Sequence, residues 1–173
     1  MLGAPRGRRR FLAARRREWS PRHLGADRGD HRRRGGAIAL IVDAGPPYAY
    51  VDRDDRHHTE CLELLETHPG PLIVPTLVIT EVAYLVASRL GSDAEIRFLG
   101  DLAAGNLIAE PVAAADWMRI AELVGRYRDL PLGTVDASVI TLAERLGAAE
   151  IATLDRRHFT VVRSDLGELT LLP

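Results

Sequence analysis

Apolar and polar positions fall in blocks along this chain, and the blocks differ in period. The stretch from Ile38 to Gly45 is a continuous apolar, β-branched run that stops at Asp43 and meets Gly45-Pro46-Pro47. A short run of that kind predicts a buried strand, and the glycine and prolines predict a turn after it. Residues 72–74, 107–109, 150–154 and 159–162 repeat the strand pattern, and residues 166–172 offer an edge strand. Between these runs the period lengthens to that of a helix. Residues 54–67 place Cys61, Leu62, Leu64 and Leu65 on one stripe, and Pro69-Gly70-Pro71 stops them. Residues 76–90 carry a broad apolar arc of Leu77, Val78, Val82, Leu85 and Val86, with Thr80, Tyr84 and Ser88 opposite. A helix over 92–104 starts with Ser92 as its expected N-cap. A further helix over 113–127 turns Ile120, Leu123 and Val124 inward. After a break at 130–133 the last helix covers 134–146, with Gly147 as its stop. Strands alternating with helices predict an α/β fold of parallel βαβ units. No internal repeat is present.

In an open parallel sheet, ligands sit beyond the carboxyl ends of the strands. Asp43 closes the first strand there, and Asp155 closes the strand at 150–154. Glu81 lies at the seam of the helix that follows the second strand. Asp136 lies in the first turn of its helix, on the side of Val139 and Ile140. An isolated ionised carboxylate on that side is costly unless it is paired or binds a cation. The plain alternative is that Asp136 caps the helix. Four convergent carboxylates repel one another unless a cation joins them. Oxygen ligands without Cys or His at the centre suit Mg²⁺ or Mn²⁺. The pair His57 and Cys61 has helical spacing for a metal, but its charged neighbours favour a solvated helix start.

Composition refines this picture in two places. Residues 1–36 hold 12 of the 23 basic residues and 3 of the 24 acids, which leaves 11 basic and 21 acidic residues for the remainder. The first segment is rich in arginine and glycine, has no apolar period and is expected to be a disordered extension, either dispensable or a basic nucleic-acid arm. It lacks the apolar stretch of a signal peptide. The expected folded domain is then 37–173, acidic overall. Hydrophobic content of 46% and charged content of 27% are those of a globular domain. The single Cys61 excludes an internal disulfide and fits a reducing, cytoplasmic setting.

The residues around the acids say more than their spacing. Val42-Asp-Ala, Thr80-Glu-Val-Ala-Tyr-Leu-Val86, Val135-Asp-Ala-Ser-Val-Ile-Thr-Leu-Ala143 and Ala152-Thr-Leu-Asp-Arg-Arg-His-Phe159 come in this order. Together they resemble the PIN-domain family, in particular the VapC ribonuclease toxins of bacterial type II toxin–antitoxin systems. The resemblance covers about residues 37–173. It implies a doubly wound, mainly parallel sheet and a Mg²⁺- or Mn²⁺-dependent endoribonuclease that cuts structured RNA, such as tRNA or rRNA, and so inhibits translation. It also implies a homodimer and a cognate VapB-type antitoxin over the active site. Asp43, Glu81, Asp136 and Asp155 match the family's acidic quartet. Thr153 matches a hydroxyl that often precedes the last acid. Two positions depart from the pattern. Ala44-Gly45 stands where many relatives carry a hydroxyl or amide, and His158 stands where some carry a further acid. Arg156 and His158 are candidates for a phosphate contact.

Two other readings are consistent with the residues alone. One is an acidic domain of this fold that binds a partner without turnover. The other is a phosphatase or phosphoacceptor domain, which also begins with a strand ending in Asp. The second lacks an Asp-X-Asp at Asp43-Ala-Gly45, and the chain has no lysine.

Overall fold

The computed structural model describes residues 39–130 and 132–173; the arginine-rich segment 1–36 lies outside them. Five short parallel strands form one sheet in the order β3-β2-β1-β4-β5. They are β1 (Leu40–Val42), β2 (Leu72–Pro75), β3 (Ile108–Glu110), β4 (Glu150–Ala152) and β5 (Thr170–Leu172). From β1 the chain builds outward to β2 and β3, then returns to lay β4 and β5 on the other side. Register is fixed by the pairs Leu40–Leu72 on one side of β1 and Val42–Ala152 on the other. The strand order therefore reverses between β1 and β4, where a doubly wound sheet opens its crevice.

Every residue of β1 and β2 is buried, which is why these runs read as continuously apolar. Helices fill the connections. Between β1 and β2 lie α1 (Gly45–Val51) and α2 (His58–Thr67). Between β2 and β3 lie α3 (Thr76–Leu90) and α4 (Ser92–Ala104). The return crossover holds α5 (Asp116–Arg126) and α6 (Thr134–Leu146), and α7 (Arg156–Val161) precedes β5. Among these, α6 is the central helix: every residue from Ala137 to Ala143 is buried, and it packs on β1, β2, α3 and α5. It ends as expected at Gly147, whose φ of +65° is a left-handed cap that favours glycine.

Several expectations needed correction. Gly45-Pro46-Pro47 is the first turn of α1, not a closing turn. The first backbone N–H groups of a helix have no intrahelical partner, so prolines lose nothing there and their fixed φ suits the helix. Residues 159–162 form no strand, because most of them belong to α7. Phe159 and Val162, three apart, are buried, while Thr160 and Val161 are exposed, which is helical spacing. Asp155 caps this helix by accepting from the backbone N–H of Arg157. At the start of α4 the N-cap position belongs to Gly91, with Ser92 the first helical residue. The helices expected over 54–67 and 113–127 begin later, at His58 and Asp116. Cys61 is buried and its thiol is pushed up to about 12, first by that burial, so it belongs to the core. His57 bonds to Glu60 instead. Among the described residues, no helix is long and apolar enough to cross a membrane.

Candidate active site

The mouth of the crevice is built from the residues that follow β1 and β4. Asp43 continues β1 by one residue, and its backbone N–H donates to the carbonyl of Ala152 at 2.9 Å. That bond holds the carboxylate beside the end of β4. There Thr153 is buried, and its hydroxyl donates to Asp43 Oδ2 at 2.8 Å. The same Thr153 oxygen accepts from the backbone N–H of Asp155 at 3.1 Å. One hydroxyl thus ties the two strand ends together. Gly45 allows the close approach: a Cβ there would sit 3.0 Å from Leu154 Cβ and 3.2 Å from its Cγ, tighter than ordinary packing. The glycine of the Ala44-Gly45 departure therefore has a steric reason in this chain.

Asp43 is only 7% exposed. Burial raises its pKa from 3.8 to about 6. The Ala44 backbone N–H and the Thr153 hydroxyl oppose that rise, and the charges of Asp136 and Glu81 add to it. Glu81, on an exposed face of α3, is also raised, by desolvation and then by Asp136. Asp43, Glu81 and Asp136 therefore share one field of negative charge, although they come from three separate elements.

Asp136 is the third residue of α6. Its Oδ2 accepts the backbone N–H of Gly133 at 3.2 Å, so the residue does cap its helix. The same oxygen lies 3.0 Å from His158 Nδ1, across from α7. Capping and site duty are compatible here, because the cap fixes the carboxylate while its half-buried position keeps it at the crevice. His158 thus contacts an acid of the group.

The strand expected to run to 154 ends at Ala152, and Asp155 lies three residues beyond it as the N-cap of α7, where its carboxylate is engaged by its own helix. Arg157 reaches both oxygens, and its side-chain hydrogen bond is the leading cause that lowers the Asp155 pKa to about 2. Arg156 donates to the carbonyls of Leu171 and Pro173 and serves as a tie to the C-terminal strand. Sequence reasoning weighed Arg156 and His158 and passed over Arg157. The signal for Arg157 was an Asp two residues before it in an N-cap position, which is hidden when the run at 159–162 is read as a strand.

The donor set is all oxygen, partly buried and crowded by its own charge, which fits a hard divalent cation. Among the described residues, no three Asp, Glu, His or Cys side chains stand close enough to enclose an ion as they are. The four carboxylates expected to meet are therefore not gathered into one shell in this structure.

Comparison with known proteins agrees with this geometry. Residues 40–164 match the PIN domain family. Ribonuclease VapC26 of Mycobacterium tuberculosis is 36% identical over 135 residues, which are 78% of this chain and the whole of that protein. Among solved structures, VapC20 of Mycobacterium tuberculosis, a sarcin–ricin-loop-cleaving toxin, superposes with a TM-score of 0.65 at 18% identity, over 69% of this chain and 92% of that one. VapBC2 of Rickettsia felis, solved on a promoter DNA fragment, gives 0.58 at 15% identity, over 79% and 100%. These two are distant in sequence and speak to the fold. Family match, sequence identity and the acids at the crevice together place the chain in the PIN-domain family, among the VapC ribonucleases.

Proposed function

We propose that this VapC ribonuclease is a divalent-metal-dependent endoribonuclease, with Mg²⁺ or Mn²⁺ held by Asp43, Glu81 and Asp136 and with Asp155 completing the set. The observation that carries this reading is the burial of the Asp43 carboxylate at the crevice, with Asp136 and Glu81 adding like charge. A buried carboxylate raised to about 6 by burial, with two further acids adding to the rise, is a site that a cation relieves. Family membership points the same way, since PIN-domain ribonucleases imply a divalent metal.

A bound divalent ion supplies an activated water and stabilises a leaving oxygen on a phosphodiester. The protein's own residues prepare the place. Thr153 holds Asp43 in one rotamer through its 2.8 Å bond. Gly133 and His158 hold Asp136 from two sides. The Asp43 N–H bond to Ala152 keeps the two strand ends at a fixed separation. Fixed donors need no reorganisation as charge develops, which is where such sites gain rate.

The biological reading is that of the toxin in a toxin–antitoxin pair in a bacterial cytoplasm. Several structural neighbours are VapBC complexes, which supports a VapB-type antitoxin as partner. Such a partner is expected to lay a basic segment over the acids. A homodimer is supported by the apolar side chains left exposed on α3 and α4: Tyr84, Ile96 and Leu99. The substrate is structured RNA such as tRNA or rRNA, whose loops present bases that can be splayed and read. Family membership removes the phosphatase and phosphoacceptor alternatives. Incubation of the full chain with total RNA, in Mn²⁺ or in EDTA, tests the proposal. Discrete fragments that require the metal support it, and intact RNA under both conditions would favour the binding-only alternative.

A further inference from the structure

Arg157 is a charged residue of the site that the functional reading leaves unused. It lies on the first turn of α7, and its side chain is 82% exposed. Its Nε donates to Asp155 Oδ1 at 2.9 Å and its Nη2 donates to Oδ2 at 2.6 Å. Its backbone N–H adds a bond to Oδ1 at 3.2 Å. The fork therefore grips both oxygens of one acid of the quartet. Asp155 already has a cation from its own chain, while Asp43 and Glu81 lose solvent and then face like charge without one.

The planar guanidinium fits a phosphate by the same two parallel bonds with which it fits a carboxylate. An exposed pair of this kind holds weakly, because water and salt compete for both partners. Exchange of one anion for another is therefore easy. A polyanion must also approach a domain in which acids outnumber bases by 21 to 11 over residues 37–173. A long, exposed cationic side chain at the rim of the crevice answers that need.

We propose that Arg157 is a phosphate-binding side chain of this site: in the free protein it rests on Asp155, and it passes to an RNA phosphate when a divalent cation takes Asp155. This inference rests on the ribonuclease reading above and adds a residue to it. One substitution then has two opposite effects. In Arg157→Gln, Asp155 loses its competing cation, so a metal ion binds more tightly. RNA loses a phosphate contact, so it binds more weakly and with a shallower salt dependence.

The test uses the full chain, wild type and Arg157→Gln. Calorimetric titration with MnCl₂ in the absence of RNA reads the first effect. Fluorescence anisotropy of a short labelled single-stranded RNA, with Mn²⁺ present, its integrity checked by gel and salt varied, reads the second. The expected result is severalfold tighter Mn²⁺ binding, severalfold weaker RNA binding, and a salt slope reduced by about 0.7. Arg157→Lys keeps the charge and is expected to retain most of that slope while losing part of the affinity. If either shift is missing in Arg157→Gln, or if both affinities fall together, the inference is overturned. Should the wild type cut RNA with metal while the variant shows neither shift, the ribonuclease reading stands and Arg157 leaves the mechanism. Should the wild type neither cut RNA nor bind Mn²⁺, both fall.

Discussion

Asp43→Asn is expected to make the metal-free protein more stable above about pH 4.5, with the full gain present only above about pH 6. The argument follows from linkage. Asp43 has a folded pKa of about 6 against an ordinary value of 3.8. Between those two values the folded state holds a proton that the unfolded chain has released, so stability falls as pH rises through this window. The difference is worth about 3 kcal/mol, with the full penalty present above pH 6 and none below 3.8. At 7% exposure the group is too buried for solvent to screen most of this. Asn keeps an oxygen for the Thr153 hydroxyl and the Ala44 N–H, but its amide N–H₂ arrives without an assigned partner, a cost of about 1 kcal/mol. The net expectation is a gain of about 2 kcal/mol at pH 8 and a loss of about 1 kcal/mol at pH 4. For a domain of this size the gain corresponds to a rise of roughly 5 °C in melting temperature. Urea unfolding of both proteins in EDTA, at pH 4 and pH 8, measures it. A stability difference that is the same at both pH values would refute the reasoning, because it would show that Asp43 carries no charge penalty in the fold.

Other expectations follow from neighbouring contacts. Thr153→Val removes the donor that offsets the burial of Asp43 and should cost about 1–3 kcal/mol at pH 8 in urea unfolding, with Thr153→Ser restoring most of it. Arg119 binds Glu144 of α6 through two bonds, at 2.9 and 3.0 Å, and reaches Asp165 beyond α7. Arg119→Ala leaves Glu144 largely buried without its partner, and a loss of about 3 kcal/mol is expected in the same assay.

How much of this was legible in the sequence depends on what each residue's signal was made of. α6 could be read to its ends, because the apolar period, the break before it and Gly147 all agreed. The strand runs at β1 and β2 were legible because parallel strands buried on both faces are continuously apolar. The run at 159–162 was not, since three apolar residues and a threonine fit a strand or a helix equally well, and the deciding signal was the Asp155 cap just upstream. α1 was hidden by two prolines, which punctuate a turn and open a helix with the same chemistry. For the site, the pattern placed Asp43, Glu81 and Asp136 on their elements, while Asp155 belongs to the start of α7 and not to a strand end. The pattern gave no sight of the Arg157 grip on Asp155 or of the bond between His158 and Asp136, because both depend on how α7 is aimed. The role of Gly45 was likewise invisible, because its meaning lies in a contact with Leu154, more than a hundred positions away.

The central claim is that metal-dependent RNA cleavage arises from the acids at the crevice, Asp43, Glu81 and Asp136. Its most direct test is cleavage of total RNA by the wild type and by Asp136→Asn, each in Mn²⁺ and in EDTA, with the cut ends mapped by sequencing. Asp136→Asn keeps the size of the side chain and an oxygen for the Gly133 N–H, while it removes one negative charge from the group. The account predicts discrete fragments from the wild type in Mn²⁺ alone, and their loss by at least a hundredfold in the variant, a loss of about 3 kcal/mol in transition-state stabilisation. Equal cleavage by the two proteins, or cleavage that persists in EDTA, would contradict it and move the chemistry away from Asp43, Glu81 and Asp136.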